Sequence, residues 1–152
     1  MDLWIVRMFS STVIMGLLII GCSGTRPANL GVKNGKLLPC PSSPNCVSSQ
    51  SSDKEHTVEP LRYSTSTAEA MAELKKIIQQ MKRTLIVTET GTYLHVEFTS
   101  ALWRFVDDVE FWFDESARVI HVRSASRLGS SDLGVNRKRI EEIRARWNAR
   151  SN

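Results

Sequence analysis

The feature that most constrains this fold is a hydrophobic period that changes twice along the chain. Ala70, Met71, Leu74, Ile77, Ile78 and Met81 recur at helical spacing. Ser66-Thr67-Ala68-Glu69 stands before them with the spacing of a capping box, in which a Ser hydroxyl and a Glu carboxylate satisfy each other's backbone donors. An amphipathic helix is predicted to near Lys82. From Thr84 the period becomes two. Thr84 to Glu89 and Thr92 to Thr99 flank Thr90-Gly91, a tight turn, and Val106–Phe113 and Arg118–Ser126 flank Asp114-Glu115-Ser116-Ala117. Pairing Glu89 with Thr92 sets Val87 against Leu94 and Leu85 against Val96. Pairing Phe113 with Arg118 sets Phe111 against Ile120 and Val109 against Val122. Both registers gather apolar residues on one face. The helical period then returns from Leu133 to about Ala149, with Asp132 as N-cap and Leu133, Ile140, Ile143 and Trp147 as the buried stripe. The expectation is an α+β two-layer sandwich: an antiparallel sheet of four to five strands with two helices on one face.

The N-terminus carries an address. The apolar run from Met8 to Ile20 is shorter than the roughly 20 residues needed to cross a bilayer as a helix, and matches a signal-peptide core. It ends in Ile19-Ile20-Gly21-Cys22, a small residue directly before a cysteine, which is the form of a bacterial lipoprotein signal. Residues 1–21 would be removed and Cys22 would carry palmitate-type acyl chains. An ordinary secretory signal or an uncleaved anchor would use the same run. The basic flank is thin, since Arg7 is opposed by Asp2.

Three cysteines are an odd number for an exported chain. Lipidation of Cys22 leaves Cys40 and Cys46 as a pair in an oxidising compartment, bracketing the turn-forming Pro-Ser-Ser-Pro-Asn. A structural disulfide suits them better than a metal or redox dithiol, because two thiols with no nearby His or second Cys pair make a poor zinc site. Residues 22–36 lack periodicity and read as a flexible tether, and residues 37–152 as a single globular domain. The formal charge of +4 is mild, and basic residues cluster from Arg137 to Arg150. Export argues against nucleic acid as a partner and leaves an anionic membrane surface or glycan as the more reachable one, but a solvated helix face is the default explanation of the cluster.

Two constellations could carry chemistry. By alternation Tyr93, His95, Glu97, Asp108, Glu110, Trp112, His121 and Arg123 share the outer sheet face, with Glu110 expected opposite His121 and Asp108 opposite Arg123. His95, Glu97, Glu110 and His121 are an acceptable zinc-type ligand set, but complementary cross-strand pairs on a solvated face account for them more simply. No metal or other cofactor is therefore expected. The second set is Arg123, Ser124, Ser126, Arg127, Asp132, Asn136 and Arg137. Asn136 falls on the stripe that should be buried, where an amide must be fully hydrogen-bonded. Asp107, on an inner face opposite Ser124, is the expected acceptor for Arg137. A buried polar network is favoured over an anion site built on Arg123, Arg127 and Arg137, because an N-cap at Asp132 already occupies the helix donors. No nucleophile elbow, phosphate loop or dinucleotide fingerprint is present, and no catalytic residue is assigned.

Cys40-Pro41-Ser42-Ser43-Pro44-Asn45-Cys46-Val47-Ser48-Ser49-Gln50, Phe105-Val106-Asp107-Asp108-Val109-Glu110-Phe111, Arg123-Ser124-Ala125-Ser126-Arg127 and Ser131-Asp132-Leu133-Gly134-Val135-Asn136-Arg137-Lys138-Arg139 occur in that order. Together they resemble the successive motifs of the domain-of-unknown-function family 1499, over roughly Leu37 to Trp147. The resemblance implies a small exported or membrane-attached protein and no particular activity. The functional expectation is a membrane-anchored envelope lipoprotein, a non-catalytic binding or assembly module for an envelope protein, a lipid head group or a cell-wall fragment. The alternative is a hydrolytic or metal-assisted enzyme on an anionic envelope substrate. Ser23 after the lipidated cysteine would permit outer-membrane sorting.

Overall fold

The computed structural model describes residues 23–151; the segment expected to be a signal peptide, residues 1–21, and the expected lipidation site Cys22 lie outside the described residues. Its elements are β1 (Cys46–Ser48), β2 (Leu61–Arg62), α1 (Thr67–Gln79), β3 (Thr84–Glu89), β4 (Tyr93–Thr99), β5 (Val106–Asp114), β6 (Val119–Ser126) and α2 (Val135–Ser151). Helix α1 starts where its capping box dictates. The Ser66 hydroxyl accepts from the Glu69 amide at 3.3 Å, and the Glu69 carboxylate accepts from the Ser66 amide at 3.0 Å.

The strands form one antiparallel sheet in the order β1-β6-β5-β4-β3, with β2 also paired to β6. β1 lies along Arg123–Ala125 and β2 along Val119–Ile120, so two short strands share one edge position. Ser49 bridges the gap between them. Its amide donates to the Val122 carbonyl at 2.9 Å, and its hydroxyl accepts from the Val122 amide at 2.9 Å. Both helices pack on one face, over a core that includes Leu94, Val96, Val109, Phe111, Phe113 and Ile120. Phe111 and Phe113 are essentially solvent-free, each contributing about 1.5–3 kcal/mol by burial.

Three sequence expectations need correction. In the β5–β6 hairpin Asp114 pairs with Val119, Phe113 with Ile120 and Phe111 with Val122, two residues along from the expected register. The Asp114 carboxylate caps the turn by accepting from the Ser116 and Ala117 amides, and Arg118 takes a left-handed φ of 54°. In the β3–β4 hairpin Glu89 pairs with Leu94, and a bulge between Ile86 and Thr88 puts Ile86 opposite Val96. That extra residue turns Ile86 inward and leaves Leu85 exposed. Helix α2 begins at Val135 rather than Leu133. Leu133 has a φ of 53° and is 87% exposed, so it is not part of the buried stripe. The stripe is Asn136, Ile140, Ile143 and Trp147.

Candidate functional site

The outer face of the sheet is a buried ion-pair network, because the segment read above as a tether lies across it. The Gly31 amide donates to Glu110 Oε1 at 2.7 Å, and Arg26 Nε to Glu97 Oε1 at 2.7 Å. The Gly35 carbonyl accepts from Gln50 Nε2 at 2.9 Å. Beneath this cover, Arg127 grips Asp108 with two bonds of 2.8 Å and also reaches Glu97. His95 Nε2 donates to Asp108 Oδ1 at 2.8 Å. Glu110 accepts from the Tyr93 hydroxyl at 2.8 Å and from Arg123 Nη1 at 3.3 Å. Three guanidiniums, Arg26, Arg123 and Arg127, thus face three carboxylates, Glu97, Asp108 and Glu110. Such a set is tolerable in low dielectric only because charges and hydrogen bonds close on one another.

The acid–base behaviour follows that arrangement. Burial pushes the Asp108 carboxyl up, but the Arg127 and His95 bonds outweigh it and hold the group below its usual range. Glu97 is likewise lowered: burial raises it, and the bonds from Arg127 and Arg26 prevail. Arg127 is raised, first by its bond to Asp108. Arg123 is lowered by burial, against the pull of Glu110, and its Nε has no hydrogen-bond partner among the described residues. Tyr93 is pushed upward by burial and by the Glu110 charge.

The expected cross-strand partners change with the register. Glu110 faces Arg123 and Trp112 faces His121, while Asp108 faces Ala125. His121 stacks on Trp112 at 5.2 Å, and its Nδ1 lies 3.1 Å from the Ser49 hydroxyl. β5 separates it from His95 on β4. His95, Glu97, Glu110 and His121 are therefore not gathered into one ligand set. Among the described residues no group of three or more His, Cys, Asp or Glu side chains is placed to hold a metal ion.

The inner network centres on Asn136, which is fully buried. Its Oδ1 accepts from the Ser124 hydroxyl at 2.5 Å and from Arg139 Nη1 at 2.7 Å. Its Nδ2 lies 2.7 Å from Asp132 Oδ2, 3.0 Å from Ser126 Oγ and 3.1 Å from the Asn45 carbonyl. Asp132 also accepts from the Asn136 and Gly134 amides, which satisfies the start of α2 from before the helix. The expected Asp107–Arg137 pair is not formed. Asp107 lies opposite Ser126 and is held by Arg139 Nη2 at 2.5 Å. Arg137 turns the other way and donates to the Thr57 and Glu55 carbonyls at 2.8 and 2.7 Å. The reason is helical geometry: Arg139 is one turn from Asn136 and shares its face, whereas Arg137 is adjacent in sequence and points about 100° away.

The Cys40–Cys46 disulfide is formed, with Cα atoms 5.6 Å apart. Its loop folds onto the start of α2. The Asn45 carbonyl accepts from Asn136 Nδ2 and from the Ser126 amide, and Asn45 Nδ2 donates to the Gly129 carbonyl at 2.6 Å. Buried His56 ties the same loop down, with Nε2 3.1 Å from the Ser43 carbonyl and Nδ1 against the Asp53 carboxylate. Both ring nitrogens face acceptors, so the imidazolium is the form that satisfies them. The Asp53 bond, then the Ser43 carbonyl, raise the His56 pKa, and His56 lowers that of Asp53.

The structure thus gathers Asp107, Ser124, Ser126, Asp132 and Asn136 into one cluster and Asp108, Arg123 and Arg127 into another. Arg123 and Arg127 are occupied by carboxylates rather than presented to an anion. Sequence reasoning missed Arg139, the Asn45 carbonyl, and Arg26. The first was readable from the three-residue spacing to Asn136; the other two depend on long-range folding of loops.

With the geometry in place, the family is decided by a model described as "Protein of unknown function (DUF1499)", which matches residues 36–146. The chain belongs to this family. No curated protein matches it. The DUF1499 span contains the whole inner network and every strand, while residues 23–35, which cover the outer network, precede it.

Proposed function

We propose that the chain is an envelope lipoprotein, anchored through acylated Cys22 and facing the periplasm, that works as a non-catalytic binding or assembly module. Its partner is an envelope protein, a lipid head group or a cell-wall fragment. One observation carries this reading: the side chains with chemical capacity are spent on closed networks. Asp108 is clamped by Arg127 and His95, and Asp107 is held through Arg139 and Asn136. His56 faces a carboxylate and a carbonyl, so it has no free nitrogen with which to deprotonate a nucleophile. Groups of this kind fix a surface rather than turn over a substrate.

Incorporation of labelled palmitate into the wild-type chain but not into Cys22→Ser, with loss of Cys22→Ser from the membrane fraction, tests the anchor. Crosslinking in native membranes tests the module, and a chain that yields no adduct with any envelope component contradicts it. A hydrolytic alternative has one supporting contact, the Ser49 hydroxyl against His121 Nδ1. Burial lowers the His121 pKa, which favours the neutral ring needed in a base. Ester hydrolysis abolished by Ser49→Ala would favour this second reading, and no turnover by the wild-type chain removes it.

A further inference from the structure

The exposed apolar side chains are not scattered. The registers put the α1–β3, β4–β5 and β6–α2 connections at one end of the sheet, since Thr84 lies beside Phe98, Thr99 beside Val106 and Asp107 beside Ser126. Every large apolar side chain exposed among the described residues belongs to that end: Leu85, Leu102, Trp103, Phe105, Leu128, Leu133 and Val135. Trp103 is 66% exposed and Leu133 87%. The opposite end, with the two hairpin turns, has none. Arg104 and Leu133 are held at φ values of 58° and 53°, a costly conformation for side chains that make no burial in return.

Cations surround these residues. Lys82, Arg104 and Lys138 have no ion pair or side-chain hydrogen bond among the described residues. Lys82 and Lys138 line a groove of about 510 Å³ beside Val135. The acidic groups nearby are already used, Asp132 by the start of α2 and Glu142 by Arg146. A Trp and several Leu ringed by unpaired Lys and Arg are the composition of an interfacial membrane contact.

The chain path singles out the same end. Gly24 packs so closely on Arg127 and Leu128 that a Cβ there would stand 3.0 Å from the Leu128 side chain. Gly24 is only two residues after Cys22 in the sequence, so the described chain starts at this end. An acyl chain on Cys22, as the anchor reading has it, would join the domain on the side of its apolar end.

We propose that this end is a bilayer-docking surface: Leu102, Trp103, Leu128 and Leu133 enter the head-group region of an anionic phospholipid membrane, with Lys82, Arg104 and Lys138 on its phosphates. The docking supplies the second attachment that a lipid anchor uses to hold a domain in one orientation. It rests on the anchor reading for its geometry, and the two are separable by experiment.

The full chain is reconstituted into vesicles of phosphatidylcholine and phosphatidylglycerol, with and without brominated acyl chains, and tryptophan emission is compared with that of Trp103→Phe. Acylation of Cys22 is measured separately by mass. Docking predicts quenching that Trp103→Phe lacks, and roughly tenfold weaker lipid contact in Leu133→Asp. Lys138→Ala is expected to weaken contact about fivefold, and only in anionic vesicles. Quenching without an acyl group upholds docking and removes the anchor reading. Acylated protein whose Trp103 emission is the same in both lipids overturns docking, and equal quenching in pure phosphatidylcholine overturns its anionic component.

Discussion

Truncating Asn136 to Ala tests whether the inner network holds α2 to the sheet. The change removes the acceptor for the Ser124 hydroxyl and for Arg139 Nη1, and the donor to Ser126 Oγ. Arg139 keeps Asp107, and the Asn45 carbonyl keeps the Ser126 amide. The Ser124 hydroxyl keeps Arg139 Nη1 at 3.0 Å, so the lost Asn136 bonds of Ser124 and Ser126 cost about 1 kcal/mol each and the lost charge-assisted bond about 1.5 kcal/mol. With the small void, the total is about 4 kcal/mol, a large fraction of the roughly 5–15 kcal/mol that stabilises a domain. For a domain of this size it lowers Tm by roughly 12 °C. Urea unfolding followed by tryptophan emission and circular dichroism measures the loss. Ser124→Ala added to Asn136→Ala is expected to cost far less than alone, giving a coupling of about 1–2 kcal/mol. A loss under about 1 kcal/mol, or strict additivity, refutes the network as the attachment of α2.

Arg139→Ala strands the Asp107 carboxylate and is expected to cost about 3–5 kcal/mol, whereas Arg137→Ala loses two bonds to exposed-loop carbonyls and costs about 1–2 kcal/mol; the reverse order in denaturation contradicts the observed pairing. The His56–Asp53 pair sets a pH window. His56 is raised above 6.5, so its contribution is complete below about that pH and is lost as pH rises through the folded value. Asp53 is lowered below 3.8, so its contribution is complete above that pH and is lost as pH falls through the folded value. Stability against pH is expected to lose this alkaline limb in His56→Gln, and an unchanged limb argues against an imidazolium there. Reducing Cys40–Cys46, which closes a loop of sequence separation 6, is expected to cost roughly 2 kcal/mol by the chain-entropy relation, read as a shift in urea midpoint with and without reductant.

What the sequence disclosed was what is local. Ser66 and Glu69 announce α1 because the capping box is complete within one turn. Ile140, Ile143 and Trp147 announce the face of α2 by spacing alone. The β5–β6 register escaped for a physical reason: a shift of two residues keeps every side chain on its original face, so alternation cannot distinguish Phe113–Arg118 from Asp114–Val119 pairing. Only the Asp114 side chain, as turn cap, decides it. The β3 bulge does flip faces, and no residue in Thr84–Glu89 advertises it. At the candidate site Asn136 was visible as polarity on a buried stripe, whereas the outer-face residues read as pairs on a solvated face and their burial was not visible. Of the partners in the two networks only Arg139 was within reach of spacing, one turn from Asn136, while Arg26, Gly31 and Asn45 come from loops distant in sequence.

The segment that lies over the outer face has a consequence for where this protein begins as a physical object. The family match opens at residue 36, but Glu97 and Glu110 take donors from Arg26 and Gly31. A chain started at the family boundary would keep its whole apolar core and still uncover a layer of charge that water and salt would then penetrate. The family span and the cooperative unit have different edges, and in this chain the difference is a strip of sequence that covers the outer charges with the Gly31 amide and one guanidinium.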